Sequence, residues 1–130
     1  MKKKVLYIED NEQNIYLISF ILEKNGIEVY KERDGKSGIE AAARIRPDLI
    51  LLDILLPEMD GYEVAEIIHK NPELSKTPIV ALTSYAMAGD REKAFRAGCN
   101  GYIEKPINPD TFFREISVYI TDNPGGGDAK

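Results

Sequence analysis

The chain has 130 residues, of which 43% are hydrophobic and 30% are charged, and its formal net charge is -5. That length suits one domain with a real core, and the composition is that of a globular protein rather than a disordered or membrane-embedded one. The acidic charge disfavours direct nucleic-acid binding, and the lone Cys99 excludes an internal disulfide. We find no signal peptide and no apolar run of roughly 20 residues, which predicts a cytoplasmic protein without membrane insertion.

Short apolar runs alternate with longer stretches of helical period, which is typical of βαβ units around a parallel sheet. We predict five strands, at residues 5–8, 27–30, 49–52, 79–82 and 102–103. The third and fourth runs are almost continuously apolar, as expected of central strands that helices cover on both faces.

Five helices are predicted between and after these strands. The first ends at Gly26, and the second is capped by Asp34 and ends before Pro47. The third covers 62–70 and the fourth 86–97. The fifth follows Asn108 as its cap, with Pro109 at its first position.

The last residues of the chain have no apolar anchor except Ala129 and contain Pro124 and three glycines. Such a composition is typical of flexible tails. We therefore predict one domain over 1–122 and a disordered tail over 123–130.

Polar residues follow four of the five predicted strands, at the edge of a parallel sheet where ligands bind. They are Glu9 and Asp10, Asp53, Thr83, and Lys105 followed by Pro106. A single acid here could merely cap a helix, but grouped acids repel one another and favour a shared cation. Oxygen ligands without histidine or thiol favour Mg²⁺ over zinc or copper. The acids among residues 9–12 would repel a bare phosphate, so they exclude the phosphate-binding loop of a flavodoxin that binds a flavin phosphate.

The sequence resembles the receiver domains of two-component response regulators from about Lys3 to Ile120. The resemblance rests on five elements in order: the acidic pair Glu9 and Asp10, Asp53, the loop residues Pro57, Met59, Asp60 and Gly61, the hydroxyl residue Thr83, and the pair Lys105 and Pro106. Each element alone is weak, but together they are highly specific. The resemblance implies an α/β fold: one doubly wound, flavodoxin-like parallel sheet in strand order 2-1-3-4-5, flanked by five helices.

The resemblance also implies roles for these residues. Asp53 would accept the phosphoryl group, while Glu9, Asp10, Asp53 and the backbone carbonyl of Leu55 would bind Mg²⁺, with Mn²⁺ as a second option. Thr83 and Lys105 would contact phosphoryl oxygens. The Lys105–Pro106 bond would be cis.

Tyr102 matches the switch aromatic of the family, and it would respond to Thr83. Its implied readout surface comprises the fourth helix, fifth strand and fifth helix, with Met87, Phe95 and Tyr119 nearby. The implied partners are a sensor histidine kinase or histidine phosphotransfer protein and a downstream protein target, and the chain would be a monomer or weak dimer.

Three interpretations of the sequence remain open. The first is a stand-alone phosphoacceptor, which is a signalling protein rather than an enzyme. The second is a receiver fragment of a hybrid histidine kinase or multidomain response regulator. The third is an aspartyl phosphatase on a similar sheet. Such enzymes have a second aspartate two residues after the nucleophile, where this chain has Leu55, so turnover as a hydrolase should be poor.

Overall fold

A computed structural model of the chain describes residues 2–84 and 86–121, and at Thr121 the backbone alone. The predicted tail over 123–130, and with it the predicted end of the domain at 122, lie outside the described residues. None of the helices in the described ranges combines the length and apolar composition needed to cross a bilayer.

Five strands form one parallel sheet in the order β2-β1-β3-β4-β5, which confirms the predicted fold class and strand order. The strands are β1 (Lys4–Ile8), β2 (Glu28–Glu32), β3 (Leu49–Asp53), β4 (Ile79–Thr83) and β5 (Gly101–Glu104). The helices are α1 (Glu12–Lys24), α2 (Gly35–Ile45), α3 (Gly61–Lys70), α4 (Asp90–Arg96) and α5 (Phe112–Thr121). A short 3₁₀ helix at Pro72–Leu74 follows α3.

Two apolar layers cover the sheet, because successive side chains of a strand point to opposite faces. In β1, Leu6 and Ile8 pack with residues of α2, α3 and α4. Val5 and Tyr7 pack on the other face, with residues of α1 and α5. Every residue of β3 and β4 is buried, as expected of central strands.

Three helices begin at side-chain caps that fix the loops leaving the strands. Asn11 caps α1 by accepting from the amide of Asn14, and Asp34 caps α2 as predicted. Asp60 caps α3 by accepting from the amide of Tyr62 at 2.8 Å. Each cap satisfies an amide that the first helical turn leaves without a partner. The first and third caps lie beside the predicted site and hold its loops.

The predicted start of the fourth helix at Ala86 was wrong, since α4 begins at Asp90. Gly89 has φ +89°, and the Asp90 carboxylate accepts from the amide of Met87 at 2.8 Å. The Asp90 amide in turn donates to the Met87 carbonyl at 3.0 Å. This closed turn occupies residues that were predicted to belong to the helix.

Two smaller boundary predictions were also wrong. β2 starts after Ile27, because the Ile27 amide still donates to the Leu22 carbonyl at the end of α1. Asn108 was predicted to cap the fifth helix. Its side chain does accept from the Asp110 amide, but this bond closes a turn that precedes the helix. The regular helix α5 begins only at Phe112.

Candidate functional site

The strand register brings the polar strand ends to one edge of the sheet. Ile8 pairs with Leu52, so Glu9 follows β1 where Asp53 ends β3. Asp53 in turn pairs with Leu82, the neighbour of Thr83 on β4. The amide of Lys105 donates to the Thr83 carbonyl at 2.7 Å, which fixes the end of β5 beside β4. Side chains distant in sequence therefore share one pocket.

Three carboxylates form the acidic side of this pocket. Glu9, Asp10 and Asp53 each offer an oxygen, and these oxygens all lie within 4.8 Å of one another. Glu9 is 1% exposed and Asp53 is 4% exposed, whereas Asp10 is exposed. Two of the acids are thus held inside the fold, and the third faces the solvent from which a cation would enter.

One buried ammonium lies between two of these acids. Lys105 Nζ is 3.0 Å from Glu9 Oε1 and 3.4 Å from Asp53 Oδ1, and its side chain is 7% exposed. The Lys105–Pro106 peptide bond is cis. The described site thus contains one ammonium group and three carboxylates, so it carries excess negative charge.

Burial and the charge of Glu9 raise the pKa of Asp53 to about 7, against the opposing effect of Lys105. The Leu55 amide donates to Asp53 Oδ1 at 3.3 Å, which also favours the charged form. A carboxylate of this kind holds its charge more easily when more positive charge is near. An oxygen-only donor set with excess negative charge fits a hard divalent cation such as Mg²⁺.

The loop after Asp53 is closed by backbone contacts that require a glycine. The Gly61 amide donates to the Ile54 carbonyl at 3.0 Å. A Cβ atom at Gly61 would lie 2.5 Å from the Ile54 Cα and 2.8 Å from the Asp53 carbonyl oxygen. A generic surface turn would not require such a close backbone approach. In the same loop, the Leu55 side chain is 54% exposed and lines a cleft of about 380 Å³ beside the site.

Thr83 and Tyr102 lie on the neighbouring strands β4 and β5. Thr83 is buried and lines the cleft, together with Met87. Tyr102 pairs with Ala81, packs against the α2–α3–α4 layer, and has a buried hydroxyl without a hydrogen-bond partner among the described residues. Met87 and Phe95 are largely exposed, at 73% and 41%. Tyr119 is half-buried on the opposite layer, with its hydroxyl over Gly101.

Sequence reasoning missed one polar group of the site, the hydroxyl of Tyr7. Tyr7 is fully buried in β1 and donates to Glu9 Oε1 at 2.9 Å. Burial, reinforced by the charge of Glu9, raises the pKa of this hydroxyl far above its ordinary value, so it remains a donor. A spacing of two residues on one strand was the available signal, because it places Tyr7 and Glu9 on the same face.

The chain matches the family model described as "Response regulator receiver domain" over residues 5–117. It is 41% identical over 122 residues to the polar-differentiation response regulator DivK of Brucella anthropi. That alignment covers 94% of this chain and 99% of the relative.

Two solved structures are also similar to this chain. The first, a CheY-like response regulator receiver domain protein from Methanospirillum hungatei, superposes with a TM-score of 0.90 at 28% identity, covering 98% of this chain and 100% of the other. The second is the receiver domain of a sensor histidine kinase from Pseudomonas aeruginosa, with a TM-score of 0.85 and 35% identity over 93% of this chain and 99% of the other. That second structure has a magnesium ion coordinated in its active-site cleft.

Proposed function

Because the chain belongs to the response regulator receiver domain family, we propose that it carries signals in a two-component system by accepting a phosphoryl group on Asp53. The observation that carries this proposal is a group of three carboxylates with one oxygen each within 4.8 Å of one another, two of which lie beside a buried lysine. The same strand ends carry the motif of the family. The chemistry is that of the domain, and it is the same in a stand-alone regulator and in a receiver fragment of a hybrid kinase or multidomain regulator.

A divalent cation, Mg²⁺ or alternatively Mn²⁺, would be held by Glu9, Asp10, Asp53 and the backbone carbonyl of Leu55. When bound, it supplies positive charge against the phosphoryl oxygens. The oxygen donors of the pocket and its excess negative charge support this assignment. The magnesium ion in the cleft of the Pseudomonas aeruginosa receiver, at 35% identity, supports it further.

In the proposed transfer, a carboxylate oxygen of Asp53 attacks the phosphorus of a phosphohistidine. An oxygen–phosphorus bond forms as the phosphorus–nitrogen bond breaks, and the electron pair of the broken bond returns to the imidazole. Lys105 lies 3.4 Å from Asp53, where its ammonium would neutralise a phosphoryl oxygen. Thr83, at the neighbouring strand end, would donate its hydroxyl to another phosphoryl oxygen.

Tyr102 would couple this chemistry to the surface formed by α4, β5 and α5. A buried hydroxyl without a partner costs about 1–3 kcal/mol, which offsets part of the free energy that favours the present position of this ring over a second, outward one. A phosphoryl group that binds Thr83 better in one of these states would shift their populations. The exposed Met87 and Phe95 would then report the change to a downstream protein.

The proposed partners follow from this chemistry. A sensor histidine kinase or a histidine phosphotransfer protein would supply the phosphoryl group, and a downstream protein would bind the α4–β5–α5 surface. We propose neither direct nucleic-acid binding nor membrane insertion, and we place the exchange in the cytoplasm with the chain as a monomer or weak dimer. Its role is to signal, and any promotion of its own phosphorylation or dephosphorylation serves that role.

The test is phosphorylation of the purified chain by acetyl phosphate with Mg²⁺, followed by intact mass measurement. The wild type should gain the mass of one phosphoryl group, and Asp53→Ala should gain none. Asp48→Ala is a matched control, because Asp48 precedes the same strand at the opposite end of the sheet. It should be modified like the wild type. Modification of Asp53→Ala, or no modification of the wild type, would contradict the proposal.

A further inference from the structure

Tyr7 is a fully buried polar residue in a largely apolar layer of the core, which also contains Phe112. Its ring packs with residues of α1 and α5, where a phenylalanine would fill almost the same space. Its hydroxyl nevertheless reaches the end of β1 and donates to Glu9 Oε1 at 2.9 Å. Both partners are at most 1% exposed, so water does not compete for this bond. The hydroxyl oxygen, and not the ring, therefore distinguishes this position from ordinary core packing.

Three donors among residues 2–84 and 86–121 bind the Glu9 carboxylate. Oε1 accepts from Tyr7 and from Lys105 Nζ, and Oε2 accepts from the Asn11 amide at 3.2 Å. Two of these donors are fixed, one by the backbone and one by a buried ring. Lys105 is the third, and its flexible side chain also lies 3.4 Å from Asp53.

Lys105 is the donor that Glu9 would lose during phosphorylation. When the ammonium turns to a phosphoryl oxygen, the Tyr7 hydroxyl is the donor to Glu9 Oε1 that remains in the described part of the chain. A glutamate has one more rotatable bond than an aspartate, so an unsupported carboxylate here would sample several positions. Metal ligands are commonly held in place by such hydrogen bonds from neighbouring groups.

We propose that Tyr7 is a positioning residue, which holds the Glu9 carboxylate in place for the divalent cation before and after Lys105 turns to the phosphoryl group. This inference rests on the proposed function, because it needs a cation at Glu9. It goes beyond that function by assigning a role to a core hydroxyl that touches neither the cation nor the phosphoryl group.

The test compares Mg²⁺ affinity, measured by isothermal titration calorimetry, for the wild type and Tyr7→Phe. Removing the hydroxyl should weaken Mg²⁺ binding roughly tenfold, the lower end of the range for lost partners of metal ligands. Tyr30→Phe is the matched control. Tyr30 pairs with Leu6 on the adjacent strand and donates to Glu28, also two residues away, but on the exposed edge. The Mg²⁺ affinity of Tyr30→Phe should stay within about twofold of the wild type, since the Tyr30 hydroxyl bonds to an exposed glutamate and not to Glu9.

A double-mutant cycle separates positioning from general destabilisation. Glu9→Asp withdraws the carboxylate from the Tyr7 hydroxyl, so Tyr7→Phe should change Mg²⁺ affinity by less than about twofold in that background. A purely structural role would give the same loss in both backgrounds and would overturn the proposal. An unchanged or tighter affinity in Tyr7→Phe would also overturn it.

A measurement on the wild type tests the same inference without depending on whether the variants fold. The Tyr7 hydroxyl proton, buried and bonded to a carboxylate, should give a slowly exchanging NMR resonance that persists after Mg²⁺ and acetyl phosphate are added. Its loss on phosphorylation would overturn the inference while the proposed function stands. If the wild type itself failed to bind Mg²⁺ in the calorimeter, the proposed function would fall, and this inference with it.

Discussion

Replacing Asp53 by asparagine should stabilise the cation-free protein, because three carboxylates lie within 4.8 Å of one another. At that separation, two unit charges repel by about 3.5 kcal/mol at an effective dielectric constant of 20. Asp53 experiences this repulsion from both Glu9 and Asp10. The Lys105 ammonium at 3.4 Å attracts it by about 5 kcal/mol on the same scale. The balance favours the neutral amide by about 2 kcal/mol.

Two further effects modify this balance in opposite directions. Burial of the Asp53 charge adds to the gain, since the amide loses less solvation on folding. Solvent around the exposed Asp10 weakens its repulsion and subtracts from the gain. Burial is the largest of the causes that raise the pKa of Asp53, so we expect the free energy of unfolding to increase by at least about 2 kcal/mol.

The gain should depend on pH with a definite sign. In the folded protein the pKa of Asp53 is raised from 3.8 to about 7 by burial and Glu9. Between these values the folded state binds a proton that the unfolded chain has released, so wild-type stability falls as pH rises through the window. Asparagine does not titrate, and the advantage of Asp53→Asn should be complete above about pH 7 and absent below about pH 4.

Urea unfolding followed by circular dichroism, with EDTA present, measures this difference at either end of the window. Asp48→Asn is the matched control, because Asp48 accepts from the Lys4 amide at 2.8 Å at the far end of β3. It should lose up to about 1 kcal/mol of stability. Electrostatic crowding at the site would be refuted if Asp53→Asn were no more stable than the wild type above pH 7. It would also be refuted by a gain that persisted in acid.

The remaining predictions concern the cation, the loop after Asp53 and the thiol. Mg²⁺ at about 100 times its dissociation constant should add about 2.7 kcal/mol of stability to the wild type, seen as a higher melting temperature, and an unchanged Tm would contradict a shared site. Gly61→Ala should cost about 3 kcal/mol in urea unfolding and slow phosphorylation, because its Cβ meets the Ile54 backbone at 2.5 Å. Gly26→Ala, with open space around it but φ +81°, should cost only about 1 kcal/mol, and equal costs would argue against the clash. Burial raises the pKa of the Cys99 thiol to about 12, so iodoacetamide should label it only after unfolding, and rapid labelling of the native protein would be inconsistent with this burial.

The positions of the strands along the chain, and the edge of the sheet at which they end, were predictable from the sequence because both depend on patterns with a simple physical cause. Apolar runs must be buried between helices, and the ends of parallel strands share an edge of the sheet. Asp53, Thr83 and Lys105 could be placed at that edge for this reason alone. The order of the strands came from the family resemblance, since periodicity does not determine which strands pair.

Other features depend on contacts that a linear pattern does not encode. Residues before Asp90 have the composition of a helix, but a turn closed by the Asp90 side chain ends any helix there. The raised pKa of Asp53 depends on its distances to Glu9 and Lys105. The bond from Tyr7 to Glu9 depends on how far a buried ring reaches along its strand. Boundaries and electrostatics therefore required the structure, whereas the positions of Asp53, Thr83 and Lys105 at one edge of the sheet did not.

The most direct test of the shared site is diffraction from crystals grown with Mn²⁺, which replaces Mg²⁺ among oxygen ligands and scatters anomalously. One anomalous peak should lie within coordinating distance of carboxylate oxygens of Glu9, Asp10 and Asp53 together. A peak at another surface, or Mn²⁺ bound by only one of these acids, would contradict the account.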